Sequence, residues 1–365
     1  MLAATTTATA TATDLRRAWA WTAAVIATAL VLYWPATGVG FLADDVYQIA
    51  LLEGVAGHRA PWALYSLYPR DPAATAAHLA DGSLPWWTVP EFRFVQVRPL
   101  SSLLLYLDHA LWPRGAFVHH LHSLAWLAAT LAAAHLVLRR ATSGAIAALA
   151  LLVYAIDETF GWTAAWLANR CALVSATFAF TALAVHLRRV EHPSRRAFGL
   201  ELLLWALAFA AGEYALCGAA YGLAHALVGQ SDPWRRRLRA LVPLALALAG
   251  FAVLSVAWGA GVHGATSYVD PLHHPLEFAV AALDRIPRML GEVWLAIPGE
   301  SDRLLFRYED SALVRLIGAL SSTPGSAGVV EAHGRFVLLA LAALGGPTWW
   351  LARRRLTPAE RRAVA

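Results

Sequence analysis

Long apolar runs recur along the chain and leave few ways for it to fold. Seven such runs, rich in Ala, Leu and Val, lie at residues 18–35, 118–138, 143–156, 163–187, 198–229, 240–257 and 336–352. A helix needs about 20 apolar residues to cross the hydrocarbon core of a bilayer, and shorter or tilted variants are tolerated. The chain is 59% hydrophobic and 15% charged, whereas soluble domains are about 25% charged. The sequence therefore predicts an all-α integral membrane protein.

The run at residues 198–229 decides how many times the chain crosses the membrane. As one helix it would be about 48 Å long, too long for a bilayer core of about 30 Å. Gly212 and Glu213 lie at its middle, where we expect them to form the tip of a hairpin of two short helices. With this hairpin counted as two crossings, the sequence predicts about eight transmembrane helices.

The Arg residues between the runs support the hairpin. All 29 basic residues are Arg, and eight crossings place 17 of them on one side with four acids. The other 12 Arg and 20 acids fall outside, except Glu201, which lies within a helix. The positive-inside rule makes the Arg-rich side cytoplasmic, and a single crossing at residues 198–229 would export the Arg cluster at residues 235–239. The net charge of +5 thus reflects membrane topology and not nucleic-acid binding.

This topology divides the chain into three parts. Residues 1–14 form an Ala- and Thr-rich cytoplasmic tail expected to be disordered, residues 15–352 the transmembrane domain, and residues 353–365 an Arg-rich cytoplasmic tail. Two large segments, residues 36–117 and 258–335, lie outside and are expected to carry membrane-surface helices. Residues 278–297, in the second segment, are too charged to cross the membrane alone and are predicted to form a helix that lies on the membrane surface. The composition suggests a bacterial protein, so the membrane is predicted to be the cytoplasmic (inner) membrane.

Acidic residues just beyond the first helix are the first candidates for chemistry. Asp44 and Asp45 are adjacent, and carboxylates near lipid are costly unless they are paired, metal-bound or hydrated. Asp is also favoured as a helix N-cap, which is the structural alternative. Arg170 enters the fourth crossing about one turn inside the outer surface, where its planar guanidinium suits phosphate. It could instead pair with Asp157 or Glu158 for structural reasons alone.

Three histidines open the second crossing. His119, His120 and His122 could bind a metal ion, since imidazole suits zinc and similar metals. Helical spacing puts His119 and His122 near one face and His120 on another, so the three are not a ready chelate. A metal-dependent hydrolase built on them is the weakest interpretation, because the chain has no His-Glu-x-x-His motif.

The candidates share one depth, the outer membrane surface. They are Asp44, Asp45, Arg98, His120, Glu158, Arg170 and Glu213. This arrangement fits a reaction between a lipid-borne phosphate compound and an acceptor outside the cytoplasm. Carboxylates would serve as general base or metal ligands, and Arg would hold the phosphate as it leaves.

The order of these motifs resembles the glycosyltransferase C superfamily of membrane enzymes. It looks closest to the transmembrane-and-tetratricopeptide O-mannosyltransferases and their uncharacterised bacterial relatives, without the repeats. The resemblance rests on four stretches: the acidic residues 43–47, the Arg-Pro-Leu to His-Ser block at residues 98–123, residues 158–188 around Trp166 to Leu173, and the Gly212-Glu213 step. It covers roughly residues 15–230.

The resemblance implies a polyprenyl-phosphate-linked sugar as donor, inversion at the sugar carbon, and a protein or glycan as acceptor. Asp44 or Asp45 would be the catalytic base, with or without a divalent metal ion held by the two carboxylates. The substrate-binding residues would be Arg98, His120, Glu158, Arg170 and Glu213, with the two Arg near the lipid phosphate. Ala172 stands where the pattern has an acid. The alternative is therefore a non-catalytic scaffold of this fold, or a carrier of lipid-linked intermediates.

Overall fold

A computed structural model of the protein describes residues 12–295, apart from residues 56–58, 69–70, 83, 143, 231, 265–268 and 270–273. Side chains are described throughout this part except at residues 12–17, 284 and 287–295. The predicted crossing at residues 336–352, the tail at residues 353–365 and most of the second outer segment lie outside the described residues. So do residues 1–11 of the N-terminal tail, while residues 12–14 are helical.

The described part of the chain is mostly helical, at 74%, with thirteen α-helices and little strand. The helices are α1 (Ala12–Leu32), α2 (Asp44–Leu52), α3 (Pro72–Ala80), α4 (Pro99–Leu111), α5 (Ala116–Ala141), α6 (Gly144–Ala155), α7 (Thr159–Ala165), α8 (Arg170–Glu191), α9 (Arg195–Ala211), α10 (Ala215–Ala224), α11 (Trp234–Ala240), α12 (Val242–Ala257) and α13 (Pro275–Leu295). Short 3-10 helices at Trp34–Gly38 and Leu167–Asn169 and a π-helix at His225–Gly229 complete the helical structure.

Three helical stretches of the described chain are long and apolar enough to cross a membrane. They are Ala18–Gly38, Ala116–Ala141 and Leu167–Glu191. Two bent pairs, α6 with α7 at 55° and α11 with α12 at 50°, bring the number to five if each pair is one span. The apolar helical stretch that corresponds to the predicted fourth crossing, residues 163–187, begins at Leu167, because the chain breaks between α7 and α8.

The predicted break in the run at residues 198–229 is confirmed. Helix α9 ends at Ala211, Gly212 to Tyr214 form a turn, and α10 begins at Ala215. Helix α10 packs on both α8 and α9. A Cβ atom on Gly218 would lie 2.8 Å from the Cβ of Ala179, so the close approach of α10 to α8 requires glycine at this position.

Helix α8 lies at the centre of the bundle and packs against α5 on one side and α9 on the other. The first core joins α1, α5 and α6 to α8 through apolar side chains such as Val25, Leu127, Leu151 and Leu173, each at most 3% exposed. A second core joins α8 to α9 and α12, with Trp205 at its centre. Burial of these side chains holds each helix in place more than its own propensity does.

A three-stranded antiparallel sheet, which the sequence did not predict, links two distant parts of the chain. Strands β1 (Ser66–Tyr68) and β2 (Arg93–Val95) lie between α2 and α4, and β3 (Gly261–His263) follows α12. The strand order is β1-β2-β3, with Phe94 opposite Val262. The chain after α12 therefore returns to the same side as the segment between α1 and α5.

The chain divides into two compact units, Met1–Gly264 and Ala265–Ala365. In the described part of the second unit, α13 covers most of the stretch at residues 278–297 that the sequence predicts to be a surface helix. Its described side chains are largely exposed, Leu276 and Leu283 among them.

Candidate functional site

The short connector between α7 and α8, Leu167–Asn169, is a meeting point for distant parts of the chain. The hydroxyl of Tyr65, just before β1, donates to the backbone oxygen of Ala168 at 2.7 Å. The hydroxyl of Tyr214, before α10, donates to the side-chain oxygen of Asn169 at 3.1 Å. The connector thus fixes two aromatic side chains at one end of the bundle.

Asp45 binds α2 to this connector. Its carboxylate accepts hydrogen bonds from the backbone N–H groups of Ala168 at 2.6 Å, Leu42 at 3.0 Å and Leu167 at 3.2 Å. Burial raises the pKa of Asp45, while these three hydrogen bonds act in the opposite direction. Asp45 is not the N-cap of α2, which is Ala43. Its side chain is only 2% exposed, so both oxygens are committed to holding the backbone.

A cavity of about 20 Å³ lies beside Asp45, lined by side chains from α2, α4, α5 and the connector, His109 among them. This volume is close to that of one water-sized probe and is too small for a sugar. The cavity beside Asp45 is therefore not a sugar-binding pocket in this structure.

The turn that leads into α2 is held from several directions. Ala43 has a backbone φ of +43°, and among the described residues it is the one non-glycine residue with a positive φ. The ring nitrogens of His120 lie 2.8 Å from the backbone oxygen of Gly40 and 3.2 Å from that of Ala164. A positive φ at a non-glycine residue such as Ala43 costs about 1–3 kcal/mol and persists only where the surroundings enforce it. His120 and Asp45 supply that enforcement.

Asp44 is the first residue of α2 and, unlike Asp45, it is partly exposed. Burial raises its pKa, and the positive charge of Arg98 partly offsets this effect. Burial also raises the pKa of Tyr68, and the negative charge of Asp44 contributes to that increase. The Tyr68 ring lies 5.5 Å from the ring of Tyr47. Asp44 is therefore a partly exposed carboxylate whose charge interacts with that of Arg98 and affects Tyr68.

Arg98, directly before α4, forms a two-point ion pair with Glu213. Its Nε donates to one carboxylate oxygen at 3.0 Å and its Nη2 donates to the other. Its Nη1 lies 3.2 Å from the Sγ of Cys171. These contacts use three of the five N–H donors of the guanidinium, and Tyr214 also forms a side-chain hydrogen bond with Arg98.

Two tyrosine rings flank this ion pair. The guanidinium carbon of Arg98 lies 4.9 Å from the ring centre of Tyr65 and 5.4 Å from that of Tyr214, within the range of cation–π attraction. The Glu213 side chain is 41% exposed, whereas Arg98 is 7% exposed. Burial alone would raise the pKa of Glu213, but the hydrogen bond and charge of Arg98 outweigh it and lower the pKa.

Arg170 is buried and bound on every edge of its guanidinium. Its Nη1 pairs with Asp108 of α4, its Nε donates to the Ser123 hydroxyl at 2.9 Å, and its Nη2 donates to the backbone oxygen of His119 at 2.9 Å. Its side chain is 2% exposed. The acid that pairs with Arg170 is thus Asp108, and not Asp157 or Glu158 nearby in sequence.

His122 completes this buried network. Trp126 donates to its Nε2 at 2.9 Å, so the ring proton lies on Nδ1, which is 2.8 Å from the Asp108 carboxylate. Burial alone would raise the pKa of Asp108, but the hydrogen bond from His122 and the charge of Arg170 lower it. The network ties α4 to α5 and α8.

The three adjacent histidines have three different partners. His119 contacts the backbone oxygen of Trp112 at 3.0 Å, His120 holds the turn before α2, and His122 contacts Asp108. Within residues 12–295 as described, no group of three or more His, Cys, Asp or Glu side chains is arranged to hold a metal ion. Both oxygens of Asp45 already accept backbone hydrogen bonds, which does not favour a metal ion shared with Asp44.

The seven predicted site residues thus fall into three sets. Arg98 and Glu213 are paired with each other, and Asp44 lies within electrostatic reach of Arg98. Asp45, His120 and Arg170 are buried and bound to structural partners. Glu158 is exposed, and no hydrogen bond or ion pair joins it to the other six in the described structure.

Sequence reasoning gave no role to Asp108, Tyr65, Tyr214 or Cys171, and it considered His122 only as a candidate metal ligand. One signal for Asp108 was available, because it is an acid within the apolar stretch of α4, and an acid in such a setting needs a partner. The tyrosines carried no comparable signal, since their placement depends on contacts with a connector about one hundred residues away for Tyr65 and 45 residues away for Tyr214.

The fold and the site together define a mostly helical protein with apolar helices of membrane-spanning length and a cluster of charged and tyrosine side chains at one end of its bundle. The chain matches no protein-family model, no curated protein and no solved structure.

Proposed function

We propose that the protein is an inverting glycosyltransferase of the bacterial inner membrane, which transfers a sugar from a polyprenyl-phosphate donor to a protein or glycan acceptor on the extracytoplasmic face. The observation that carries this proposal is the position of Asp44. It is a partly exposed carboxylate that interacts electrostatically with Arg98, whose guanidinium lies between two tyrosine rings.

The pairing of β2 with β3 supports the proposed topology of eight crossings. Strand β3 directly follows α12, and β2 lies in the proposed first outer segment, so both segments belong on one side of the membrane. An even number of crossings must then lie between them, counted from α5 to α12. The number of crossings from α5 to α12 is even when α9 and α10 are two crossings, and it is odd when they are one.

In the proposed reaction, the acceptor hydroxyl attacks the sugar carbon that carries the phosphate. The Asp44 carboxylate takes the hydroxyl proton as the new carbon–oxygen bond forms. The bond from the sugar carbon to the phosphate oxygen breaks, and polyprenyl phosphate leaves with its negative charge stabilised by Arg98. The products are the glycosylated acceptor and polyprenyl phosphate.

The surrounding residues support these roles. Asp45 and His120 hold the strained turn at Ala43, which fixes the start of α2 and hence Asp44. Glu213 orients Arg98, and its exposed carboxylate is available to accept hydrogen bonds from sugar hydroxyls. The resemblance to glycosyltransferase C enzymes, which places an acidic motif after the first helix, agrees with this assignment. We propose no step that depends on a divalent metal ion.

A non-catalytic function is the second candidate. Asp45, His120 and Arg170 are each buried and fully engaged, which is what a scaffold or a carrier of lipid-linked intermediates would retain from an enzyme fold. Such a protein would bind polyprenyl phosphate compounds at Arg98 without consuming them.

A donor panel separates the two candidates. The full chain, purified and reconstituted into proteoliposomes, would be incubated with a series of radiolabelled polyprenyl-phosphate sugars and with peptide and glycan acceptors. We expect one donor to be consumed, with release of polyprenyl phosphate and label in an acceptor. Binding of a donor without its consumption would favour the carrier, and binding of none would contradict both candidates.

A further inference from the structure

A pocket of about 130 Å³ lies at the opposite end of the bundle from Asp44, between the end of α8 and the start of α11. Its polar lining consists of Arg189, Arg236, Arg239, Gln230 and Asp232. It is separated from the Arg98–Glu213 pair by the length of α9, about 25 Å. One water molecule needs about 10–15 Å³ on this measure, so the pocket has room for several waters and hence for a phosphate group.

The charges around this pocket are not balanced. Arg189 is bound to the buried Glu201, with Nε to carboxylate oxygen at 2.5 Å. Arg236 pairs with Asp232 at 3.0 Å. Arg239 also lines the pocket, and no acid pairs with it in the described part of the chain. The pocket therefore has an excess of one positive charge and a guanidinium that can turn toward a ligand.

Gln230 gives a second and independent indication of a ligand. It is 9% exposed, and its side-chain oxygen is buried without a hydrogen-bond partner. Its side-chain nitrogen lies 3.3 Å from Nδ1 of His225. If the amide turns by 180°, its oxygen can accept a hydrogen bond from the Nδ1–H of His225 and its NH₂ group becomes a free donor. Buried polar groups are rarely left unsatisfied, so a ligand that accepts hydrogen bonds would complete this site.

We propose that this pocket binds a phosphate group on the Arg-rich side of the membrane, with Arg239, Arg236 and Gln230 as the donors. Phosphate offers acceptor oxygens only, which matches a lining of guanidinium and amide N–H groups. The phosphate could belong to an anionic lipid headgroup or to a free phosphate compound. The proposal does not depend on sugar transfer at the other end of the bundle.

The test uses the full chain with two probes. In detergent, the unfolding temperature would be compared between inorganic phosphate and chloride at equal ionic strength. In vesicles, the unfolding temperature would be compared between phosphatidylglycerol and phosphatidylcholine. The pocket variant is Arg236→Gln with Arg239→Gln. The matched control, Arg188→Gln with Arg196→Gln, removes two exposed charges that do not line the pocket. Arg239→Gln alone serves if the double variant is too unstable.

We expect at least one probe to raise the unfolding temperature of the wild type and of the control. The pocket variant should bind that probe about tenfold or more weakly, which is the usual effect of losing a hydrogen bond to a charged group. A response to inorganic phosphate identifies a free phosphate compound as sufficient, and a response only to phosphatidylglycerol identifies the lipid headgroup. Equal losses in the pocket and control variants, or no response to either probe, would overturn the proposal.

Discussion

Asp108 and Arg170 form a buried ion pair between α4 and α8, across 62 residues of sequence. The pair is completed by His122 and Ser123 of α5, so that one guanidinium and one carboxylate join three helices. A charge this deeply buried is tolerated only when it is paired and hydrogen-bonded. Arg170 therefore acts as a structural centre of the bundle.

Loss of Asp108 should strongly destabilise the protein. Asp108→Asn leaves the Arg170 charge buried without a partner, and breaking a buried pair in this way costs about 3–5 kcal/mol. Glu158→Gln is the matched control, because Glu158 is nearer to Arg170 in sequence but exposed. Thermal unfolding in detergent should show a large decrease for Asp108→Asn and almost none for Glu158→Gln. Equal effects would mean that the pair is not the structural centre described above.

The two adjacent aspartates, Asp44 and Asp45, should differ in their contribution to the stability of the fold. Asp45→Asn places an NH₂ group against backbone donors, and each orphaned donor costs about 1–3 kcal/mol. Asp44 accepts no hydrogen bond from the described chain, so Asp44→Asn should not lower the unfolding temperature. Comparison of the two variants by thermal unfolding would show this difference. A larger loss for Asp44→Asn than for Asp45→Asn would reverse the assignment of roles.

The pH dependence of transfer should reflect the raised pKa of Asp44. The base must be ionised to accept a proton, so activity should fall as the pH decreases through a pKa above the ordinary value of 3.8.

For stability the sign is opposite. An acid with a raised pKa in the folded state holds its proton more tightly there than when unfolded, so its ionisation reduces stability as the pH rises from 3.8. Asp44→Asn should therefore become more stable relative to wild type as the pH rises from 3.8 through the raised pKa of Asp44. Unfolding at a series of pH values would measure this difference.

Membrane topology can be checked with single cysteines. Cys171 is buried, so a Cys217→Ser background should react little with a membrane-impermeant maleimide. In that background, Trp86→Cys should be labelled in intact spheroplasts, since Trp86 is 85% exposed in the proposed first outer segment. Arg196→Cys should be labelled only after permeabilisation. Labelling of Arg196→Cys in intact cells would contradict the eight-crossing topology.

The helices were largely predictable because lipid imposes a simple length and polarity requirement on each crossing. The run at residues 118–138 became α5 with three or fewer residues added at each end, and the break at Gly212 was predicted from helix length together with the distribution of Arg residues. The connector Leu167–Asn169 was missed, since it lies inside a continuous apolar run. The strands were missed because each has only three residues, too few for an alternating pattern.

The site was predictable in composition but not in arrangement. An Arg in an apolar segment was expected to have an anionic partner, and Arg170 has one. Which acid pairs with which Arg depends on helix packing, and that information is absent from local sequence. The pairing of Arg98 with Glu213 spans 115 residues and that of Asp45 with Ala168 spans 123, so neither could be deduced from spacing.

The most direct test of the account is sugar transfer by the Asp44→Asn variant. Wild type, Asp44→Asn and Glu53→Gln, an exposed acid at the end of the same helix, would be reconstituted and supplied with the donor that the wild type consumes. We expect Asp44→Asn to lower the transfer rate about 100- to 10,000-fold, the range for loss of a general base, while donor binding and the Glu53→Gln rate remain at wild-type levels. Transfer by Asp44→Asn at the wild-type rate would contradict the assignment of Asp44 as the catalytic base.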